Sequence, residues 1–274
     1  MNQSLIGGVL DPRGPVAANE YLILQNATLV MLALIVPIIV LTLVFAWWFR
    51  AGNDRAKRRP DWDYSGALEV VNWMVPLMII LFLGGMGWVA THALDPPKPL
   101  RADAPPLDIQ VVSLDWKWLF IYPDAGVAAV NRLVVPAGRP LRFQLTSGTV
   151  MNSFFVPQLG SQIYTMAGMT TTLFLQADRP GTFPGRSFQF SGDGFSDMRF
   201  EVDAVPAADY DAWLTRTRAT ASRLDAAGYA VLARPGTSAP RDYRLAEPQL
   251  FHAILAASTA PAPSPTHESK SHVR

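Results

Sequence analysis

Two uncharged apolar stretches constrain this chain more than any other feature. No residue from Tyr21 to Phe49 carries a charge, and a second uncharged run extends from Val70 to Thr91. At about 1.5 Å of rise per residue, each is long enough as a helix to cross a hydrocarbon core roughly 30 Å thick. Trp47, Trp48, Trp73 and Trp88 lie towards the ends of these runs, where amphipathic rings favour the headgroup boundary. Pro37 and Pro76 would disrupt helices in water but are tolerated in membrane helices. Half of the 274 residues are hydrophobic and only 16% are charged, too apolar for an ordinary soluble chain of this length. The sequence therefore predicts a two-helix transmembrane hairpin over 27–91.

Charge fixes the expected orientation. The connector over 50–69 carries Arg50, Arg55, Lys57, Arg58 and Arg59, whereas the segment over 1–26 carries Arg13 as its one basic residue. The excess of cationic side chains places the connector in the cytoplasm and both termini outside it. The first residues lack a basic region joined to an apolar one, so they do not read as a cleavable signal. Either the first helix serves as an uncleaved signal or a segment precedes the sequence.

After a proline-rich linker over 92–106 the character changes. Short runs rich in Val, Ile, Phe and Leu, such as "LDIQVVSLDWKWLFIY" and "PLRFQLTS", fill 107–205 and are punctuated by Gly and Pro. This spacing predicts an antiparallel β-sandwich or barrel with its own core. The stretch over 206–257 is alanine-rich and predicts a helical extension, and 258–274 predicts a disordered tail. There is no internal repeat. The formal net charge of +1 gives no sign of a nucleic-acid partner.

Within the β-rich region, "RSFQFSGDGFSDMRF" has the cadence of a metal loop: polar residues at close spacing, bending glycines and a closing methionine. Yet the chain has no cysteine, and this stretch has no histidine. Met151, Met166, Met169 and Met198 suggest a thioether cluster only weakly, since methionine in a sandwich is more often core filler. The histidines, at 92, 252, 267 and 272, show no metal-site spacing. No phosphate loop, nucleophile elbow or carboxylate pair stands out. Trp116 and Trp118 alternate with Lys117, which puts both rings on one face of a strand. Glu69 opens the second apolar run, where an acid also favours the helix macrodipole.

The motifs "SLDWKWLFIYP", "VMNSFFVPQLGSQIYTMAG" and "SGDGFSDM" together resemble subunit II of the haem–copper respiratory oxidases, with the strongest likeness to the ubiquinol-oxidising, cytochrome bo-type branch. The resemblance runs from about Leu10 to Leu255 and implies a cupredoxin-like sandwich behind the hairpin. In the cytochrome c-oxidising branch this sandwich holds two coppers. Their ligands come from a strand histidine and a loop of the form C-S-E-x-C-G-x-x-H-x-x-M. Counting back from Met198, the strand histidine is Asn152, the cysteines are Ser187 and Ser191, the glutamate is Gln189 and the loop histidine is Phe195. Met198 alone is retained. Bridging thiolates and imidazoles match copper's preferences; serine hydroxyls and a phenyl ring do not. The resemblance thus implies no metal or cofactor in this chain.

What the family implies is a non-catalytic subunit of a proton-pumping ubiquinol oxidase in the bacterial inner membrane. Its partners would be a haem- and copper-bearing subunit I and subunits III and IV, with ubiquinol as substrate and no soluble cytochrome c. Glu69 would stand near the mouth of a proton-uptake pathway, and Trp116 and Trp118 would support the subunit interface. The alternatives are a copper-bearing cytochrome c oxidase subunit, opposed by the missing thiolates, and a membrane-tethered cupredoxin-like scaffold without an oxidase partner. Relatives commonly carry a lipid-modified cysteine near "LLDPKG"-like sequence; here "SLIGGVLDPRG" has none.

Overall fold

The computed structural model describes residues 8–259 except Arg58 and Asp103. The described residues form two compact units, one over 16–95 and the other over 8–15 together with 96–259.

The first unit is the hairpin. Helix α1 spans Pro15–Trp48 and α2 spans Gly66–Ala93. Both are long and apolar enough to cross a membrane, and their apolar side chains face outward. α1 begins twelve residues before the expected boundary at 27. Pro15 at the first helical position has its φ preset for a helix, and Ala, Glu, Leu and Gln then extend it. A search for uncharged length misses this turn-forming start because Glu20 interrupts it. At α2, Ser65 is extended, and its carbonyl accepts the Glu69 amide at 3.0 Å to close the first turn.

The second unit is a two-layer sandwich. Its strands are β1 (Leu107–Leu114), β2 (Lys117–Tyr122), β3 (Val127–Val130), β4 (Arg132–Pro136), β5 (Leu141–Ser147), β6 (Asn152–Val156), β7 (Gly160–Thr165), β8 (Thr171–Leu175), β9 (Gly181–Arg186) and β10 (Arg199–Val205). The C-terminal region adds α3 (Ala207–Thr220), β11 (Ser222–Leu224), α4 (Ala226–Leu232), β12 (Arg241–Leu245) and α5 (Leu250–Thr259). One sheet has the order β11–β12–β3–β2–β1–β5–β8 and the other β4–β10–β9–β6–β7. Three pairings, β1 with β5, β4 with β10 and β11 with β12, are parallel, so the sandwich is mixed rather than purely antiparallel. Trp118, Phe120, Phe143, Phe154, Phe200 and Val202 fill the space between the sheets.

The region over 206–257 is not simply helical. β12 pairs antiparallel with β3, and β11 joins β12, so the extension widens the first sheet. Helices α4 and α5 cover that sheet's outer face, where Leu119, Ile121 and Val130 meet Leu224, Phe251 and Ile254, whereas Tyr210 and Trp213 of α3 pack into the core between the sheets. β2 is consequently buried on both faces, which explains why "KWLFIY" reads as a continuous run and not as an alternation. Lys117 enters this layer only 4% exposed and donates from Nζ to the carbonyls of Leu232 at 2.9 Å and Arg234 at 2.6 Å. Those acceptors are orphan carbonyls at the end of α4. Of the tail expected from 258, Ser258 and Thr259 close α5 instead, and the remainder lies outside the described residues.

The segment before α1 lies on the sandwich. The Arg13 amide donates to the Gln158 carbonyl at 2.7 Å, and the Asp178 amide donates to the Arg13 carbonyl at 2.9 Å. Gly14 is required there, because a Cβ would stand 2.1 Å from the Gln176 carbonyl oxygen.

Candidate functional site: the vestigial metal loop

β9 and β10 are antiparallel neighbours, and residues 187–198 join them. The Ser187 amide donates to the Met198 carbonyl at 3.3 Å and closes the base of the loop. A single 3-10 turn over Phe195–Asp197 shapes its far side. The six positions matched to the copper ligands come from β6 and this loop. Asn152, at the start of β6, is fully buried, and Ser187 is 4% exposed. The Ser187 hydroxyl lies 3.2 Å from Asn152 Oδ1 and 3.3 Å from the Gln189 carbonyl as alternative acceptors. It also accepts the Ser153 amide at 3.4 Å, while Ser153 Oγ accepts the Phe188 amide at 2.8 Å. Asn152 Nδ2 donates to the Val150 carbonyl at 3.2 Å. The polar atoms at these positions are thus bonded to one another and to the backbone.

The other positions are no better suited to a metal. Phe195 packs edge-on against Phe190 with ring centroids 5.7 Å apart. Met198 is fully buried in the hydrocarbon core. Ser191 Oγ is shut off from solvent without a hydrogen-bond partner, and a neutral hydroxyl there is not a thiolate. Two hydroxyls, an engaged amide, a phenyl ring and a core thioether do not fit a copper pair. Among the described residues, no three or more His, Asp or Glu side chains gather to hold a metal. Met151 and Met169 are 40% and 54% exposed, so they are not the core filler the sequence suggests. His92 Nδ1 lies 2.8 Å from the Trp88 carbonyl, and His252 packs beside Phe251. His267 and His272 fall outside the described residues.

Trp116 takes over the organisation of the loop. It does not share a strand face with Trp118, because Asp115 and Trp116 form the turn between β1 and β2, and Trp116 has φ 68°. Its indole N–H donates to the Ser191 carbonyl at 3.0 Å. Its ring lies so close to Gly194 that a Cβ there would stand 2.3 Å away. Gly192, at φ +104°, packs against the same ring. Trp118 is instead fully buried between the sheets. It has no surface with which to meet a partner, and the interface role expected for it is withdrawn.

Glu69 belongs to the hairpin unit. It is exposed in the first turn of α2 and borders a cavity of about 550 Å³ between α1 and α2. Asp63, Tyr64, Ser65 and Asn72 also line this space, together with apolar residues of both helices. Sequence reasoning found Glu69 but missed Lys117, whose burial has no signal in a local charge pattern. It also missed the two glycines that Trp116 requires, although Gly192 and Gly194 are plain in "SGDGF".

A two-helix membrane-type hairpin carrying a cupredoxin-like sandwich with a dismantled metal loop defines the class: subunit II of the respiratory oxidases. The family described as cytochrome c oxidase subunit II, periplasmic domain, matches residues 123–205. Cytochrome bo(3) ubiquinol oxidase subunit 2 of Pseudomonas aeruginosa is 46% identical over 92% of this chain and 77% of its own length. Ubiquinol oxidase subunit 2 of Acetobacter aceti is 45% identical over 90% of this chain and 81% of its own length. Among solved structures, the periplasmic domain of subunit II of cytochrome oxidase of Bradyrhizobium japonicum aligns at 23% identity and a TM-score of 0.40, covering 42% of this chain and 94% of that one. The chain belongs to the ubiquinol oxidase subunit 2 family.

Proposed function

We propose that this chain is the non-catalytic subunit II of a ubiquinol oxidase that passes electrons from membrane quinol to dioxygen and pumps protons. The observation that carries this reading is its membership of the family together with a metal loop that has no copper-binding donor set. A quinol reaches its oxidation site through the lipid, so such an enzyme has no use for a copper port that receives electrons from a soluble cytochrome c. The haems, the copper and the quinol site would belong to subunit I, with subunits III and IV completing the complex. The setting is a bacterial inner membrane. The basic connector supports a cytoplasmic hairpin loop. Glu69 would then sit at the cytoplasmic end of α2, where a carboxylate beside a cavity with room for water can pass protons towards subunit I. Trp116, partly buried in the loop, remains the candidate at the subunit interface.

Purification through a tag on this chain tests the reading. The expected result is co-isolation of a large haem-bearing subunit and ubiquinol-dependent oxygen uptake, with no oxidation of soluble cytochrome c. A chain that comes from membranes without any haem protein would support the scaffold alternative.

A further inference from the structure

Two arginines bracket the vestigial loop at its base. Arg186 ends β9, Arg199 begins β10, and they stand directly opposite in the antiparallel ladder. Their neighbours Gly185 and Phe200 point into the core, so both guanidinium groups lie on the outward face of the five-stranded sheet. Like charges in this arrangement destabilise a sheet. No ion pair among the described residues offsets them. Arg199 Nε donates to the Ser196 carbonyl at 3.0 Å, whereas Arg186 Nε is buried without a partner. Burial, and then the facing Arg199, lower the pKa of the Arg186 guanidinium from its usual value.

These groups open onto a groove of about 510 Å³, also lined by Asn131 and by Ser238 of the C-terminal region. Asp197 and Glu201 are exposed on its rim and lie beyond ion-pair distance of either arginine. Phe155 pairs beside Arg186 in the sheet and packs edge-on against Phe188, which is 39% exposed. Arginine mixed with aromatic side chains is the composition of protein–protein interfaces.

We propose that the Arg186–Arg199 pair is a carboxylate-binding site that receives an Asp or Glu side chain of a partner protein chain in the assembled complex. A carboxylate between two guanidinium groups accepts charge-assisted hydrogen bonds from both and turns their mutual repulsion into a bridged arrangement. It also supplies the acceptor that Arg186 Nε lacks. A buried donor without an acceptor is unfavourable in the free chain, and it becomes a specific contact only when the partner is in place. That the partner is the catalytic subunit rests on the oxidase reading above.

The test uses the full-length tagged chain with Arg186→Gln, Arg186→Lys and Arg199→Gln. The chain made alone in detergent should melt at the same temperature or higher in each variant, because a like-charge pair is removed or weakened. Sodium acetate, compared with sodium chloride at equal ionic strength, should raise the melting temperature of the wild type but not of Arg186→Gln. In membranes, co-isolation of the haem-bearing subunit should fall several-fold in both glutamine variants and become more salt-sensitive. Lysine at 186 should restore it only in part, since it lacks the planar fork. Unchanged co-isolation would overturn the proposal. So would co-isolation that falls only in step with a lower melting temperature of the free chain, which would mark the arginines as structural. A wild-type chain that retains no haem subunit would instead count against the oxidase reading, and the acetate comparison would still judge the site.

Discussion

Trp116 is held in a backbone region that a bulky side chain occupies at a penalty of about 1–2 kcal/mol. It tolerates this because its indole bonds to the Ser191 carbonyl and its ring fills the space over Gly192 and Gly194. The ring therefore helps to fix the path between β9 and β10. Gly194→Ala should lower stability by about 1–3 kcal/mol, the range for overfilling a packed contact. In a Trp116→Ala background the same change should be much milder, giving a coupling of about 0.5–3 kcal/mol for residues in contact. Thermal melts of the four chains in detergent measure it, and equal losses in both backgrounds would refute the plug. The bounds of the loop that carries Ser187, Ser191 and Phe195 were legible in the sequence from its glycines and polar spacing. The placement of Trp116 was not. Asp-Trp lacks the glycine or asparagine that usually marks a two-residue turn, so simple alternation put the ring on a strand.

The elements tell a similar story at longer range. Gly and Pro punctuation located most of the strands, since chain reversals leave a local signal. The parallel pairings of β1 with β5 and β4 with β10 join segments distant in sequence, and no local pattern encodes them. β11 was hidden in alanine-rich sequence whose propensity favours helix, and β12 is a short polar run with no apolar alternation; β12 pairs with the edge of β3 and β11 with β12. The continuous run of β2 did hold the information that something covers its second face. The C-terminal region carries two titratable markers, Tyr210 in the core between the sheets and Tyr229 under this cover. Burial pushes Tyr210 on α3 up to about 12, and burial likewise pushes Tyr229 on α4 up to about 12. Each phenol stays neutral in the folded chain after it would ionise in the unfolded one, near 10. Their contribution is fully present below pH 10 and is lost as pH rises from 10 to 12. Alkaline titration should therefore loosen the C-terminal cover in this window, followed by tyrosinate absorbance and by exposure of the extension to protease. Tyr210→Phe with Tyr229→Phe should move the transition to higher pH. An unshifted midpoint would mean that neither phenol controls it.

At the scale of the whole molecule, a subunit with no redox centre of its own can contribute to catalysis only through assembly and through proton supply. Glu69 is where the second contribution would be made. The connector beside it carries Arg50, Arg55, Lys57, Arg58 and Arg59. The cavity at the end of the helix pair has room for water and is lined by Asp63, Ser65 and Asn72 as well as Glu69. Carboxylates at the edge of a membrane helix are retained for pairing or for proton pathways. Glu69 has no salt bridge among the described ion pairs, which leaves the pathway as the stronger reading. Glu69→Ala should accordingly leave assembly and haem content intact while slowing quinol oxidation per haem several-fold. Glu69→Asp should keep part of the rate, because the acid persists with one methylene fewer. A helix-end charge that merely favours the macrodipole would behave otherwise: its loss would weaken the first turn of α2 by about 0.3–1 kcal/mol and lower the yield of complex. Turnover per haem would then be normal. Measuring haem content and oxygen uptake on the same preparations separates the two effects, and a normal rate per haem in the alanine variant would remove Glu69 from the proton path.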